Sequence, residues 1–392
     1  MIDLDKKYWV AALCKILLML STFIITIFIN RGLGVYNKGN YSYIIHLVEI
    51  LYVFSSFGVG QTFATYKRKY GEEYRNFFVF LGGFHAIVTL LVGAAIVYLF
   101  EIEFGFFIVS LTSLEVAKII ISMIAVVENS IKRNVILTIL NFVYLLVLAL
   151  LFLGGYSSLY AFLCCYGFID VVTIIWLLYS YKMIPSVRGI TIKEIKPLYK
   201  TGFITMVVML LISVNYSLDV VMLKNLSTAS QVGLFSVGVT FSNMFLLIPD
   251  SFKEVLFGDS AKKSFTKEIA FNSIKISFII SFFILFLFVL FGKWAINLFY
   301  GVEFDYSYTL TLILFVGSLS MIFFKILQPI YISFGNQNQA ALFLGMSAIA
   351  NFFLNIYLIP KYNATGSAIA SAISHTLCGF LFLINFKNSK WI

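Results

Sequence analysis

The chain alternates long apolar runs with short polar breaks. Apolar runs of membrane-crossing length fall roughly at 8–29, 41–65, 76–100, 104–127, 134–153, 157–181, 199–223, 231–252, 270–298, 307–333, 340–359 and 364–386. A bilayer core about 30 Å thick is crossed by about 20 helical residues. The runs are continuous rather than alternating apolar with polar, so they predict helices and not the strands of a barrel. The pattern predicts twelve spanning helices. The first run, Tyr8 to Ile29 behind Lys6 and Lys7, is too long for the apolar region of a signal peptide and lacks a small-residue cleavage site, so it reads as an uncleaved span.

The breaks carry the orientation. With the N-terminus inside, nineteen Lys and Arg fall on inner connections, Lys132 and Arg133 among them, and five (Arg31, Lys38, Lys224, Lys293 and Lys361) on outer ones. Inner loops collect basic residues, so both termini are expected in the cytoplasm. The longest connection, 182–198, divides the chain into an N-terminal six-helix lobe (1–181) and a C-terminal one (199–392). The segment Gly39-Asn40-Tyr41-Ser42 opens the second span, and Gly233-Leu234-Phe235-Ser236 opens the eighth, about half a chain later. An even number of spans per half gives a parallel repeat about an axis along the membrane normal, the plan of an alternating-access transporter.

Composition narrows the class. Of 392 residues, 61% are hydrophobic and 12% charged, with a mean hydropathy of +0.96. A soluble domain carries about 25% charged residues. The balance excludes a soluble enzyme, a disordered chain and a nucleic-acid-binding domain. The net charge of +10 is the inner-face bias rather than a nucleic-acid footprint. Cys14, Cys164, Cys165 and Cys378 lie in apolar runs without metal-ligand spacing, and His46, His85 and His375 stand singly, so no metal or cofactor is implied.

The few charges inside the runs are the candidate chemistry, because an ionisable group at bilayer depth costs at least ~2.5–3.5 kcal/mol. Lys15, Thr22, Thr26 and Asn30 share a face of the first span, and Glu49 lies in the second. The fourth span carries Glu115, Lys118, Ser122 and Asn129; the sixth carries Tyr166, Asp170 and Thr173. Asp219 ends the seventh, Asn243 and Asp250 lie on the eighth, and Lys325 and Gln328 on the tenth. These stripes predict a polar cavity between the halves. Lys15, Arg31, Lys118 and Lys325 would offer positive charge to an anionic substrate, with Glu49, Glu115, Asp170, Asp219, Asn243 and Gln328 lining the cavity or coupling transport to a cation. The competing reading is neutralisation: Glu115 and Lys118 are spaced to pair along one helix. Pro249 and Pro329 predict bends near the inner ends of the eighth and tenth spans.

Enzyme motifs are missing. Gly34-Val35-Tyr36-Asn37-Lys38-Gly39 has the glycines of a phosphate loop but is followed by Asn40 and Tyr41, and no H-E-x-x-H, C-x-x-C or G-x-S-x-G occurs. The outer connections are short, unlike those expected of a membrane glycan polymerase. A non-enzyme is predicted.

Three segments carry a resemblance. Asn30-Arg31-Gly32-Leu33-Gly34 with Gly39-Asn40-Tyr41 comes after the first span. Asp219-Val220-Val221-Met222-Leu223 with Val232-Gly233-Leu234-Phe235-Ser236 stands mid-chain. Asn355-Ile356-Tyr357-Leu358-Ile359-Pro360 with Gly366-Ser367-Ala368-Ile369-Ala370 lies near the end. In this order they resemble the signatures of the oligosaccharide-lipid flippases of bacterial polysaccharide biosynthesis, the O-antigen and capsule translocases, whose superfamily also holds the multidrug extruders. The resemblance implies an inner-membrane protein that flips an undecaprenyl-diphosphate-linked oligosaccharide outward. Its partners would be that substrate, membrane lipids, and the polymerase and chain-length proteins of the same pathway. It also suggests that Arg31 and Asp219, the matched charges, line the portal or couple the lobes. Physically, Gly32 and Gly34 permit a tight turn, Gly366, Ala368 and Ala370 allow close packing, and Pro360 is expected to stop the eleventh helix. Relatives that move the peptidoglycan precursor have two further helices. The first span lacks the proline of an extruder that bends there. A cation-coupled multidrug extruder, and a scaffold or enzyme of glycan assembly, are the other readings.

Overall fold

The structure, a computed structural model, describes residues 6–70, 74–187, 192–246, 249, 250, 252, 256 and 266–389. Arg188, Lys253, Lys262, Lys263 and Lys390, and the side chains of Lys6, Lys7, Lys69 and Lys193, lie outside the described residues. Among those described there is no strand. The helices are α1 (Lys6–Ser56), α2 (Val59–Tyr70), α3 (Arg75–Phe100), α4 (Gly105–Leu153), α5 (Leu159–Ser180), α6 (Ile192–Leu226), α7 (Ala229–Met244), α8 (Lys267–Phe299), α9 (Ser307–Ser333) and α10 (Gln337–Asn388).

Eight of these are long and apolar enough to cross a membrane, and three are double. The backbone leaves helical geometry at Gly34 (φ 65°, ψ 175°) in α1, at Asn129 (φ −158°, ψ 92°) in α4 and at Asn363 (φ 51°, ψ −131°) in α10. Cut at these breaks, with α2 continuing the second half of α1 beyond the turn at Phe57 and Gly58, the described residues present twelve segments in the order of the twelve apolar runs. The eighth, α7, is described as a helix only to Met244. The protein is a multi-pass membrane protein, and its surface agrees. Ile279, Phe283, Phe286 and Leu290 are exposed along α8, a stripe that only lipid solvates well.

Each break has a local cause. At Gly34 the positive φ suits a residue without Cβ. Asn129 caps the second half of α4: its Oδ1 accepts the Lys132 amide at 3.0 Å, satisfying a donor of the new helix. Pro360 does not stop the helix, contrary to expectation. It sits inside α10, and the chain turns three residues later at Asn363, whose Oδ1 accepts the Ser227 hydroxyl at 2.7 Å.

The chain packs as two compact units, residues 1–33 with 44–213, and residues 34–43 with 214–392. This division differs from the sequence-based one at 182–198 in two places. The N-terminal part of α6 packs on the first unit. Gly202 meets the Phe57 carbonyl, and Tyr199 donates or accepts 2.9 Å from His85 Nε2. Residues 34–43 pack on α7. A Cβ at Gly39 would lie 1.7 Å from the Ala229 carbonyl oxygen, and one at Gly233 would lie 2.1 Å from that of Val35. The two glycines that echo each other in sequence thus let their helices touch backbone to backbone.

The core of the first unit is built from Phe63, Phe78, Ile120, Ile124, Leu177 and Leu198. That of the second is built from Leu223, Phe235, Leu310, Leu314, Ile359 and Ala368. Each unit also buries ionisable side chains, Glu115 and Asp170 in the first and Asp219 in the second.

Candidate functional site

In the N-terminal unit, Lys118 projects from α4 between two carboxylates. Its Nζ lies 2.5 Å from Glu115 Oε1 one turn away and 2.7 Å from Asp170 Oδ1 on α5. Tyr166, one turn before Asp170, donates its hydroxyl to the same Glu115 oxygen at 2.5 Å, and the Lys118 ammonium stands 5.5 Å from the Tyr166 ring centre. The i, i+3 spacing forms one ion pair, and the crossing of α4 on α5 adds the second. The neutralising pair that the spacing of Glu115 and Lys118 allowed is formed, and Asp170 adds a second acid: two carboxylates share Lys118.

Beyond this triad α4 turns at Asn129, and its second half returns beside the first. Arg133, in the first turn of that half, reaches back across the bend. Its Nε and Nη2 donate to Ser122 Oγ at 3.0 and 2.8 Å, and Nη1 donates to Asn134 Oδ1 at 3.1 Å. Three of its five N–H groups are thus used, and among the described residues no carboxylate pairs with it. The face Arg133, Leu137, Leu140, Asn141 and Tyr144 closes a cavity of about 290 Å³ against Leu18, the Lys118–Ser122 turn and the Tyr166–Thr173 stretch of α5. Asn141 spans to the first helix, donating to Ser21 Oγ at 2.7 Å and Thr22 Oγ1 at 3.2 Å. The rings of Tyr144 and Tyr166 stand edge to face, 6.4 Å apart. Asp170 Oδ2, buried in this wall, has no hydrogen-bond partner among the described residues.

Sequence reasoning missed Arg133 by counting it among loop charges. The signal was present in the helical spacing of 133, 137, 140, 141 and 144.

The C-terminal unit arranges its polar groups differently. Asp219 on α6 is buried, and its Oδ1 accepts the side-chain amides of Asn351 at 2.8 Å and Asn355 at 2.6 Å. Its Oδ2 accepts the Ser371 hydroxyl at 2.6 Å. The adjoining cavity, which Asn243, Ser318 and His375 also line, measures about 20 Å³. That is room for one water or one bare ion. Lys325 on α9 pairs with Asp250 at 3.0 Å and stands 5.4 Å from the Tyr216 ring centre. Gln328, one turn on, is buried. A larger groove of about 650 Å³, between α9 and the second half of α10, is walled by Ile313, Val316, Ile369 and Ile373 and carries no charged group.

The remaining candidates stand apart. Lys15 and Arg31 are exposed and line neither polar cavity. Glu49 bonds His46 Nδ1 at 3.0 Å. The expected set Lys15, Arg31, Lys118 and Lys325 is therefore not gathered in one wall of either unit.

The fold is shared with solved transporters. The lipid II flippase MurJ, in an inward closed conformation, superposes with a TM-score of 0.75 at 14% identity, over 96% of this chain and 88% of that one. A multidrug resistance MATE family transporter of the MOP superfamily, inward-facing, gives 0.67 at 12% identity over 94% of each chain. A MOP superfamily transporter from Pyrococcus furiosus, described by a reversed polarity of its binding pocket, gives 0.56 at 13% identity, over 97% of this chain and 95% of that one. No protein family's sequence profile matches the chain, and no curated protein matches it by sequence. The all-helical architecture is thus that of the two-lobed MOP transporters, as the sequence predicted.

Proposed function

We propose that the chain is a flippase that carries an undecaprenyl-diphosphate-linked oligosaccharide repeat unit across the bacterial inner membrane, from the cytoplasmic to the outer face, by alternating access. The observation that carries this reading is Arg133. A guanidinium that meets no acid among the described residues stands in a polar, aromatic-lined pocket of a membrane fold shared with a lipid II flippase. The three sequence signatures and the lipid-exposed surface support it. The basic bias of alternate connections supports cytoplasmic termini. O-antigen or capsule repeat units are the proposed cargo, and the polymerase and chain-length proteins of that pathway the proposed partners.

Energetics suit export. One charge moved through 100 mV is worth about 2.3 kcal/mol. A diphosphate with two negative charges leaving a negative interior therefore gains about 4–5 kcal/mol per 100 mV. Lys15, Arg31 and Lys325, exposed or half-buried, are proposed to meet the diphosphate and the anionic carrier along its path. Asp219, beside a cavity of ion size, is proposed to take a coupling cation, and Glu49, Glu115 and Asp170 are its alternates.

A cation-coupled multidrug extruder is the second reading, favoured by two carboxylates facing one ammonium at Lys118. Deletion of the gene separates the two. The flippase reading expects lipid-linked repeat units to accumulate on the inner face with drug resistance unchanged. A normal lipid distribution with lost resistance would overturn it.

A further inference from the structure

The pocket of the N-terminal unit presents two unmet demands within one wall. Among the described residues, two N–H groups of Arg133 make no hydrogen bond and none meets an acid, and Asp170 Oδ2 is a buried acceptor without a donor. A buried acceptor without a donor destabilises its surroundings until a donor reaches it. A phosphate group at neutral pH offers oxygens that accept and almost no donor, so it would answer Arg133 and leave Asp170 Oδ2 without one. A sugar ring offers hydroxyl donors for Asp170. If it also carries a carboxylate, it offers a planar acceptor that matches the guanidinium in two parallel bonds.

Charge points the same way. Lys118 and Arg133 formally balance Glu115 and Asp170, so a diphosphate would add two uncompensated negative charges to the wall and a single carboxylate only one. That one charge can sit on the guanidinium, whose present acceptors are neutral. Size agrees as well: about 290 Å³ lies at the lower limit of small-molecule pockets, enough for one ring and not for a repeat unit. Leu137, Leu140 and the edge-to-face Tyr144 and Tyr166 supply apolar and aromatic surface for the ring's C–H face.

Resting on the flippase reading, we infer that this pocket seats one acidic sugar ring of the repeat unit, its carboxylate on Arg133 and a hydroxyl on Asp170, and that the diphosphate is held elsewhere. Asp170 and Arg133 are then specificity-determining residues for the glycan rather than anchors for the lipid carrier.

The test uses the full-length protein in nanodiscs, titrated with glucuronate, glucose and inorganic pyrophosphate and monitored by intrinsic fluorescence. Glucuronate is expected to bind about tenfold more tightly than glucose. R133Q should bring glucuronate to the level of glucose, R133K should fall between, and D170N should weaken both sugars. Equal affinity for glucuronate and glucose, no sugar binding, pyrophosphate binding tighter than glucuronate, or a folded R133Q that keeps the preference would each overturn the inference. If R133Q does not fold, the ranking of the three ligands on the wild type decides. Flipping of a lipid-linked oligosaccharide in proteoliposomes separates this inference from the flippase reading. Transport without a glucuronate preference removes the inference alone. The preference without transport removes the flippase reading and leaves the pocket assignment supported.

Discussion

In the N-terminal unit one ammonium, Lys118, is shared by two carboxylates beside a cavity of about 290 Å³; in the C-terminal unit one carboxylate, Asp219, is met by three neutral donors beside about 20 Å³. Both sites sit on apolar helices long enough to span a membrane, and both bury charge within them. The difference lies in how completely the neighbours answer that charge. Asn351, Asn355 and Ser371 satisfy Asp219 at both oxygens and leave little space. Around Asp170, among the described residues, one oxygen goes unanswered, a neighbouring arginine lacks an acid, and a cavity opens. Unmet hydrogen-bonding capacity occurs at both sites, since among the described residues Asn355 Oδ1 and His375 Nε2 also lack partners; what distinguishes the N-terminal pocket is room for a ring, where the space beside the Asp219 clasp admits one water or one ion.

Breaking the clasp should cost most. Asp219→Ala removes the acceptor of three buried donors, each costing about 1–3 kcal/mol when left unpaired, so a loss of about 3–9 kcal/mol is expected in the thermal unfolding of the detergent-solubilised protein. Asp219→Asn should lose about half as much. An unchanged midpoint for Asp219→Ala would mean that the three bonds do not hold the unit together.

Next comes the triad. Lys118→Met leaves Glu115 and Asp170 facing each other without a cation. A loss of about 2–4 kcal/mol is expected, below that of a fully buried pair because Lys118 keeps partial access to the cavity. Adding Asp170→Asn should recover about half of it, since one of the two opposed charges is gone; a double-mutant cycle in urea or by heat reads this coupling. Strict additivity would deny that the two groups act through Lys118.

Two weaker perturbations distinguish pocket from clasp more finely. Asn129→Ala removes the amide cap at the bend that brings Arg133 back to Ser122, and should cost about 1 kcal/mol. It should weaken glucuronate binding to the pocket while leaving the C-terminal unit unaffected. Arg133→Gln should change stability least, by about 0.5 kcal/mol, because no buried acid loses its partner.

The same contrast explains which features were legible in the sequence. Twelve apolar runs were readable because each must cross the same thickness of hydrocarbon, and the bends at Gly34, Asn129 and Asn363 fall between runs. Glu115 with Lys118 was readable because their spacing alone brings them together. Lys118 with Asp170 was not, since 52 positions separate them and only the crossing of α4 on α5 sets the distance. Arg133 was hidden for a different reason. Counting charges treats a basic residue near a connection as loop, yet a bend with no loop places it in the first turn of a helix. Asp219 stood out in the sequence as a charge within an apolar run, but its three partners lie 132, 136 and 152 residues away, so its answered state could not be read.

If the N-terminal pocket holds part of the transported molecule, Arg133 must matter to transport and not to folding. Initial rates of lipid-linked oligosaccharide flipping in proteoliposomes, with R133Q and wild type reconstituted in equal amounts, read this without intermediate steps. A rate at least tenfold lower is expected for R133Q, with an unfolding midpoint within about 2 °C of wild type. A wild-type rate from a folded R133Q would mean that the pocket holds no part of the cargo.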